Sequence, residues 1–161
     1  QKALMSKGAY VLWLKPTQEG KIAVGRIGHL SLIDRFLAYA GSAMGPGGLK
    51  SRLAHHLRPS PKPHWHIDYL KAHVPIQQIW LLPQALPDEH DIATALSVLG
   101  GKVLPHFGAS DCRCPSHLYG FQHMATLSHF RSALLGPVED YMLIRAIVEG
   151  NCLVDGGNGE D

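Results

Sequence analysis

The sequence predicts an α/β protein of the α+β kind. It is expected to have a small, mainly antiparallel sheet in the order β-β-α-β-α, flanked by helices, with an extra loop and helices at the C-terminal end. Three observations lead there. Runs rich in β-branched and aromatic residues at 8–14 and 77–82 read as buried strands. A glycine-broken stretch between them reads as an early hairpin. Leu49, Leu53 and Leu57 recur every four residues, the spacing of one helix face. These strands are too few for a doubly wound sheet.

The elements follow in order. Residues 8–14 begin at Gly8 and end before Lys15-Pro16, which marks a first strand. Residues 21–30 alternate only partly, through Ile22, Val24 and Ile27, and are broken by Gly25 and Gly28, so they form a weaker strand or hairpin arm. Residues 35–41 supply the next strand, and the loop at 42–48, with its glycines and Pro46, permits a tight turn. The helix from Leu49 carries Lys50, Arg52, His55 and His56 on its flanks and opposite face and is stopped by Pro59 and Pro61. A short helix or turn at 64–71 precedes the strand 77–82. A second helix starts near Pro87-Asp88-Glu89, where a proline and acids suit a helix N-terminus, and runs to Leu99 before Gly100-Gly101. Residues 105–121 read as a loop. Residues 124–135 and 138–148 read as helices split by Gly136-Pro137, and the acidic, glycine-rich end reads as disordered.

With 161 residues, 45% of them hydrophobic and 17% charged, the chain suits one domain with a real core. No apolar run approaches the roughly 20 residues of a membrane span. Residues 1–7 lack the apolar core of a signal peptide, so an intracellular, cytoplasmic setting, with association to the nucleoid, is the expectation. Net charge is only +2, but its distribution is uneven. Lys50, Arg52, Arg58, Lys62 and Lys71, together with His55, His56, His64 and His66, face a single nearby acid, Asp68. A locally positive surface for an anionic partner follows. Three cysteines, Cys112, Cys114 and Cys152, do not make a disulfide framework.

Five blocks now stand in a telling order. Gly8-Ala9-Tyr10 opens the first strand, Tyr39-Ala40-Gly41-Ser42-Ala43 closes the second, and Gly45-Pro-Gly-Gly-Leu49 leads into a helix bearing Arg52 and His56. His64-Trp-His-Ile-Asp-Tyr-Leu70 and Ser110-Asp-Cys-Arg-Cys-Pro-Ser-His-Leu118 follow. This layout resembles the GIY-YIG nuclease superfamily, and within it the Uri-type endonuclease branch, over residues 8 to about 121. Both signature isoleucines are alanine, at Ala9 and Ala40, on the apolar flank.

The resemblance implies a nuclease-like domain at 1–121, a helical extension at 122–150 and a disordered tail at 151–161. It implies a metal-dependent endonuclease that hydrolyses phosphodiester bonds, on DNA rather than RNA, with one Mg²⁺ or Mn²⁺ ion. Tyr10 would be the general base or its relay, and Tyr39 would position water and phosphate. Arg52 would grip the scissile phosphate through its planar fork. His56, one turn on, would share that oxygen or protonate the leaving group. The metal ligand falls to Asp91 or Glu89, with Asp91 closer in register. Gly41, Ser42, Lys50, Arg58, His64 and His66 would border the nucleic acid. Cys112, Cys114 and His117 read either as a loop lining the substrate groove or as three zinc ligands completed by His64, His66 or His106. The alternative function is a nucleic-acid-binding module on the same fold whose catalysis has weakened. A third is a zinc-stabilised interaction domain.

Overall fold

A computed structural model describes residues 6–17, 19–23, 29–31, 35–59, 62, 66–104, 117–134, 142–150 and 152–155. The fold is a mixed α+β architecture. Seven strands form one sheet: β1 (Gly8–Leu14), β4 (Phe36–Ala43), β5 (Ile76–Leu82), β6 (Lys102–Val103), β7 (Leu118–Phe121), β8 (Ile144–Glu149) and β9 (Cys152–Asp155). Their order is β6-β7-β4-β1-β5-β8-β9, and every neighbouring pair is antiparallel. The weak segment after β1 is a separate two-stranded hairpin of β2 (Lys21–Ala23) and β3 (His29–Ser31).

β1 lies in the middle of the large sheet and is buried along its whole length. Because side chains alternate across a strand, it feeds two cores. Ala9, Val11 and Trp13 join one, packed with Ile92 and Leu96 of α3 (Glu89–Val98) and Phe130 of α4 (Leu127–Ala133). There Trp13 meets Trp80 and Phe121 at 5.1 Å between ring centroids, and Trp80 meets Phe130 at 5.0 Å, in tilted stacks. Tyr10, Leu12 and Leu14 join the other, beneath Leu49 and Leu53 of α1 (Gly48–Leu57) and Ile67 and Leu70 of α2 (His66–Lys71). The sheet is thus the middle layer of three.

Local chemistry fixes the helix starts that frame the site. Gly47 and Gly48 adopt φ of +86° and +59°, a left-handed turn that glycine enters without steric cost. The next amide, Leu49 N–H, donates to Ser6 O at 2.9 Å and ties α1 to the start of β1. At α3, Asp88 accepts from the backbone of His90 and Asp91, while the Asp91 carboxylate accepts from Asp88 N–H at 3.0 Å, forming a reciprocal capping box.

Several expectations need correction. Residues 144–149 are strand β8, not helix, and β9 occupies part of the stretch expected to be disordered. Ile144 and Ile147 are β-branched and pair with β5, and β-branched Val148 pairs onward with Leu153 of β9, so what was expected as a helical extension instead widens the sheet. Glu149 of β8 pairs with Cys152 of β9, and Gly150 just after β8 takes φ +62°. The expected loop at 105–121 ends in strand β7, recruited by Phe36, Leu37, Ala38 and Tyr39 of β4. β4 runs on through Ser42 and Ala43. No helix of the described residues is long and apolar enough to cross a membrane.

Candidate active site

Tyr10 stands on β1 directly opposite Gly41 of β4. A Cβ on Gly41 would sit 2.5 Å from both the Cζ and the hydroxyl oxygen of Tyr10, so the phenol end of the ring lies against that glycine. Gly41, expected to border a ligand, is buried, and its lack of a side chain makes room for Tyr10. Tyr39, two residues earlier on the same strand and face, is half-buried.

From above, α1 lowers two side chains onto this face. His56 is 3% exposed and shares the buried stripe of Leu49 and Leu53; the expectation that it lies on the flank is corrected. Seven residues beyond Leu49, it falls on the core-facing stripe of an α-helix, and its polar edge finds a partner there. That partner is the Tyr10 hydroxyl, 2.7 Å from Nε2. Arg52, one turn earlier and half-buried, acts on Tyr10 both as a positive charge and through a side-chain hydrogen bond, and its charge reaches Tyr39 too.

The electrostatics of this group are consistent. Burial pushes the Tyr10 phenol well above its ordinary value, Tyr39 adds to the rise, and Arg52 opposes it. Burial likewise raises Tyr39, helped by Glu89 and opposed by Arg52. Burial pushes His56 down to about 3, with Lys71, His55 and Arg52 adding positive charge against its protonation. Both phenols are therefore protonated and His56 is neutral near pH 7.

Of the two acids left open by the sequence, Glu89 is the one turned toward the site. Its Oε1 accepts from the Ser42 hydroxyl at 3.0 Å, and its Oε2 lies 3.4 Å from His117 Nδ1. Its charge is felt by both tyrosines. Asp91 closes the capping box of its own helix, because residues two apart point to different sides of a helix. His117 is 4% exposed and its backbone carbonyl accepts from Ala40 N–H at 2.9 Å, which docks the loop end onto β4. Burial holds its imidazole below the ordinary value, with Glu89 pulling the other way and the His90 ring, 6.0 Å away, adding to the depression.

The remaining candidates divide. Lys50 and Arg58 are exposed on α1 and just past its end. His64, Cys112, Cys114 and His106 lie outside the described residues, as does the side chain of His66, so the zinc reading has only His117 within them. Among the described residues no group of three His, Cys, Asp or Glu side chains has the spacing of a metal cage. A single carboxylate with one donor hydroxyl beside it suits a hard divalent cation that keeps most of its waters, and Glu89 would be the residue to hold it.

Sequence reasoning passed over one cluster and one neighbour. Asp68 is 1% exposed and its Oδ1 lies 2.8 Å from His55 Nε2 and 3.7 Å from Lys71 Nζ. Lys71 in turn donates to the carbonyls of His55 at 2.6 Å and Arg58 at 3.0 Å, locking α2 beneath the end of α1. An acid in an otherwise basic stretch was the available signal. His90, beside His117, had none beyond its place after Glu89.

Fold and site together define an α+β domain with phenol, imidazole, guanidinium and carboxylate groups converging at one end of its central strands. The chain belongs to the family described as the domain of unknown function DUF123, whose model matches residues 9–136. Comparison with curated proteins and with solved structures gave no significant match.

Proposed function

We propose that this protein is a metal-dependent endonuclease of the GIY-YIG type, in its Uri-like branch, hydrolysing phosphodiester bonds in DNA. The observation that carries the reading is the hydrogen bond between Tyr10 and neutral, buried His56 beside Arg52, in the elements where the resemblance puts Tyr10, Arg52 and His56.

The residues divide the work. Arg52 receives the scissile phosphate and stabilises the charge that grows on its oxygens. Tyr39 orients the attacking water. Tyr10 is too weak an acid to sit as a phenolate, so it relays: as it takes the water's proton, it passes its own to His56 Nε2, the imidazole being in the Nδ1–H form. His56 thus accepts a proton instead of donating one to the leaving group, since burial keeps it unprotonated at rest. The negative phosphate beside it favours the imidazolium that results. A Mg²⁺ or Mn²⁺ ion held by Glu89 would supply further charge neutralisation and acidify water. Ser42 and His117 hold the Glu89 carboxylate in place for that task.

The test is cleavage of branched, single-stranded and duplex DNA by the full chain with Mn²⁺ or Mg²⁺. Cutting that disappears in Tyr10→Phe, Arg52→Ala and Glu89→Gln supports the proposal. Intact DNA across the panel overturns it, and salt-sensitive binding without cutting returns the binding-module reading.

A further inference from the structure

A cavity of about 510 Å³ is bordered by His56, at the end of α1. Its walls are apolar, from Leu57, Pro75, Ile76 and Val148, and the cation at its rim is Arg58, exposed at the end of α1. Asp68 and Lys71, paired with each other, also line it and add no net charge. The volume falls in the range of small-molecule sites and exceeds what one nucleobase with its sugar requires. An aromatic, uncharged ring matches the walls, and a phosphate attached to it matches Arg58. No acidic residue other than the compensated Asp68 lines the space.

We propose that this cavity receives an unpaired nucleotide of the substrate strand, next to the bond that is cut. The base is extruded from its stack into the cavity, while the neighbouring phosphate lies at Arg52 on the other side of His56. The inference rests on the endonuclease reading and deepens it, because it makes the substrate a strand with an unstacked base instead of continuous duplex. His56 is the residue common to both: its Nε2 meets the Tyr10 hydroxyl, and it borders the cavity. Extruding a base costs least where it is already unpaired.

The experiment compares binding in EDTA of a DNA strand carrying 2-aminopurine at successive positions with strands abasic at those positions. The full chain and its Ala72→Phe variant are used; Ala72 is exposed at the cavity wall and outside the proposed catalytic set. For wild type, one position brightens on binding, and removing the base there weakens affinity about tenfold. In Ala72→Phe the brightening is lost and the two strands bind alike. Arg58→Ala weakens both strands equally, as loss of a phosphate contact should. If no position brightens and no abasic site changes affinity, or if Ala72→Phe behaves as wild type, the cavity proposal is overturned. Cleavage is read separately: a protein that shows the base preference but cuts nothing retains the cavity and loses the nuclease reading. One that cuts without the preference does the reverse.

Discussion

Replacing Gly41 with alanine tests how the site is seated. The added methyl would lie 2.5 Å from the Tyr10 Cζ and hydroxyl oxygen and 2.8 Å from Cε2, all nearer than real side-chain carbons approach. Tyr10 is 1% exposed, so its ring has no solvent to retreat into. Two costs follow. Overpacking a buried site costs about 1–3 kcal/mol, and shifting the ring breaks the 2.7 Å bond to His56, worth about 0.5–1.5 kcal/mol. A loss of about 2–4 kcal/mol corresponds to a fall in Tm of about 4–16 °C for a chain of this size. Urea denaturation of wild type, Gly41→Ala, Tyr10→Leu and the double variant measures it. In the Tyr10→Leu background the ring is gone, and the alanine should cost less than about 0.5 kcal/mol. Equal costs of Gly41→Ala in both backgrounds would refute the claim that the glycine exists to accommodate Tyr10.

Three further outcomes are expected. His56 has a folded-state pKa of about 3 against 6.5 for the free side chain, so below pH 6.5 the unfolded chain takes up a proton that the folded one refuses. Stability contributed by this group is therefore complete above about pH 6.5 and falls as pH drops toward 3, with a limiting slope of about 1.4 kcal/mol per pH unit. Urea midpoints from pH 7.5 to 4 should fall more steeply for wild type than for His56→Gln, and parallel curves would reject the account. Asp91→Ala removes one arm of the α3 capping box and should cost about 1 kcal/mol by urea denaturation while leaving cleavage within about twofold. A full loss of cleavage would instead make Asp91 the metal ligand. Glu89→Gln should show the opposite pattern, with Tm within about 3 °C of wild type and cleavage reduced by at least about a hundredfold.

Much of this was legible in the residues. β1 is an unbroken apolar run with Tyr10, Val11 and Trp13 at its centre, so the expected 8–14 matches its bounds, and α3 carries both its capping acids and its closing glycines in plain view. The strand at 144–149 was not, because Ile144, Ile147 and Val148 satisfy helical spacing as well as strand propensity. Gly150, a residue that suits a turn, was the signal that would have separated the readings. In the site, Tyr10 and Arg52 were read from motif position, yet their partner geometry depends on strand register, which pattern alone does not give. The choice of Glu89 over Asp91 needed the helix start itself: the acid at N3, Asp91, is drawn back to its own backbone, while Glu89 at the first helical position reaches Ser42.

The central position of β1 has a consequence for how the site moves. Tyr10 hangs from a strand hydrogen-bonded on both sides, to β4 and to β5, so exposing its amide requires parting the middle of the sheet. Glu89 is the first residue of α3, where a single turn can fray. Amide exchange at Tyr10 and Leu12 should track global unfolding, while amides around Glu89 and His90 exchange through smaller openings. The tyrosine half of the site thus shares the lifetime of the whole fold, and the carboxylate half keeps the freedom to adjust.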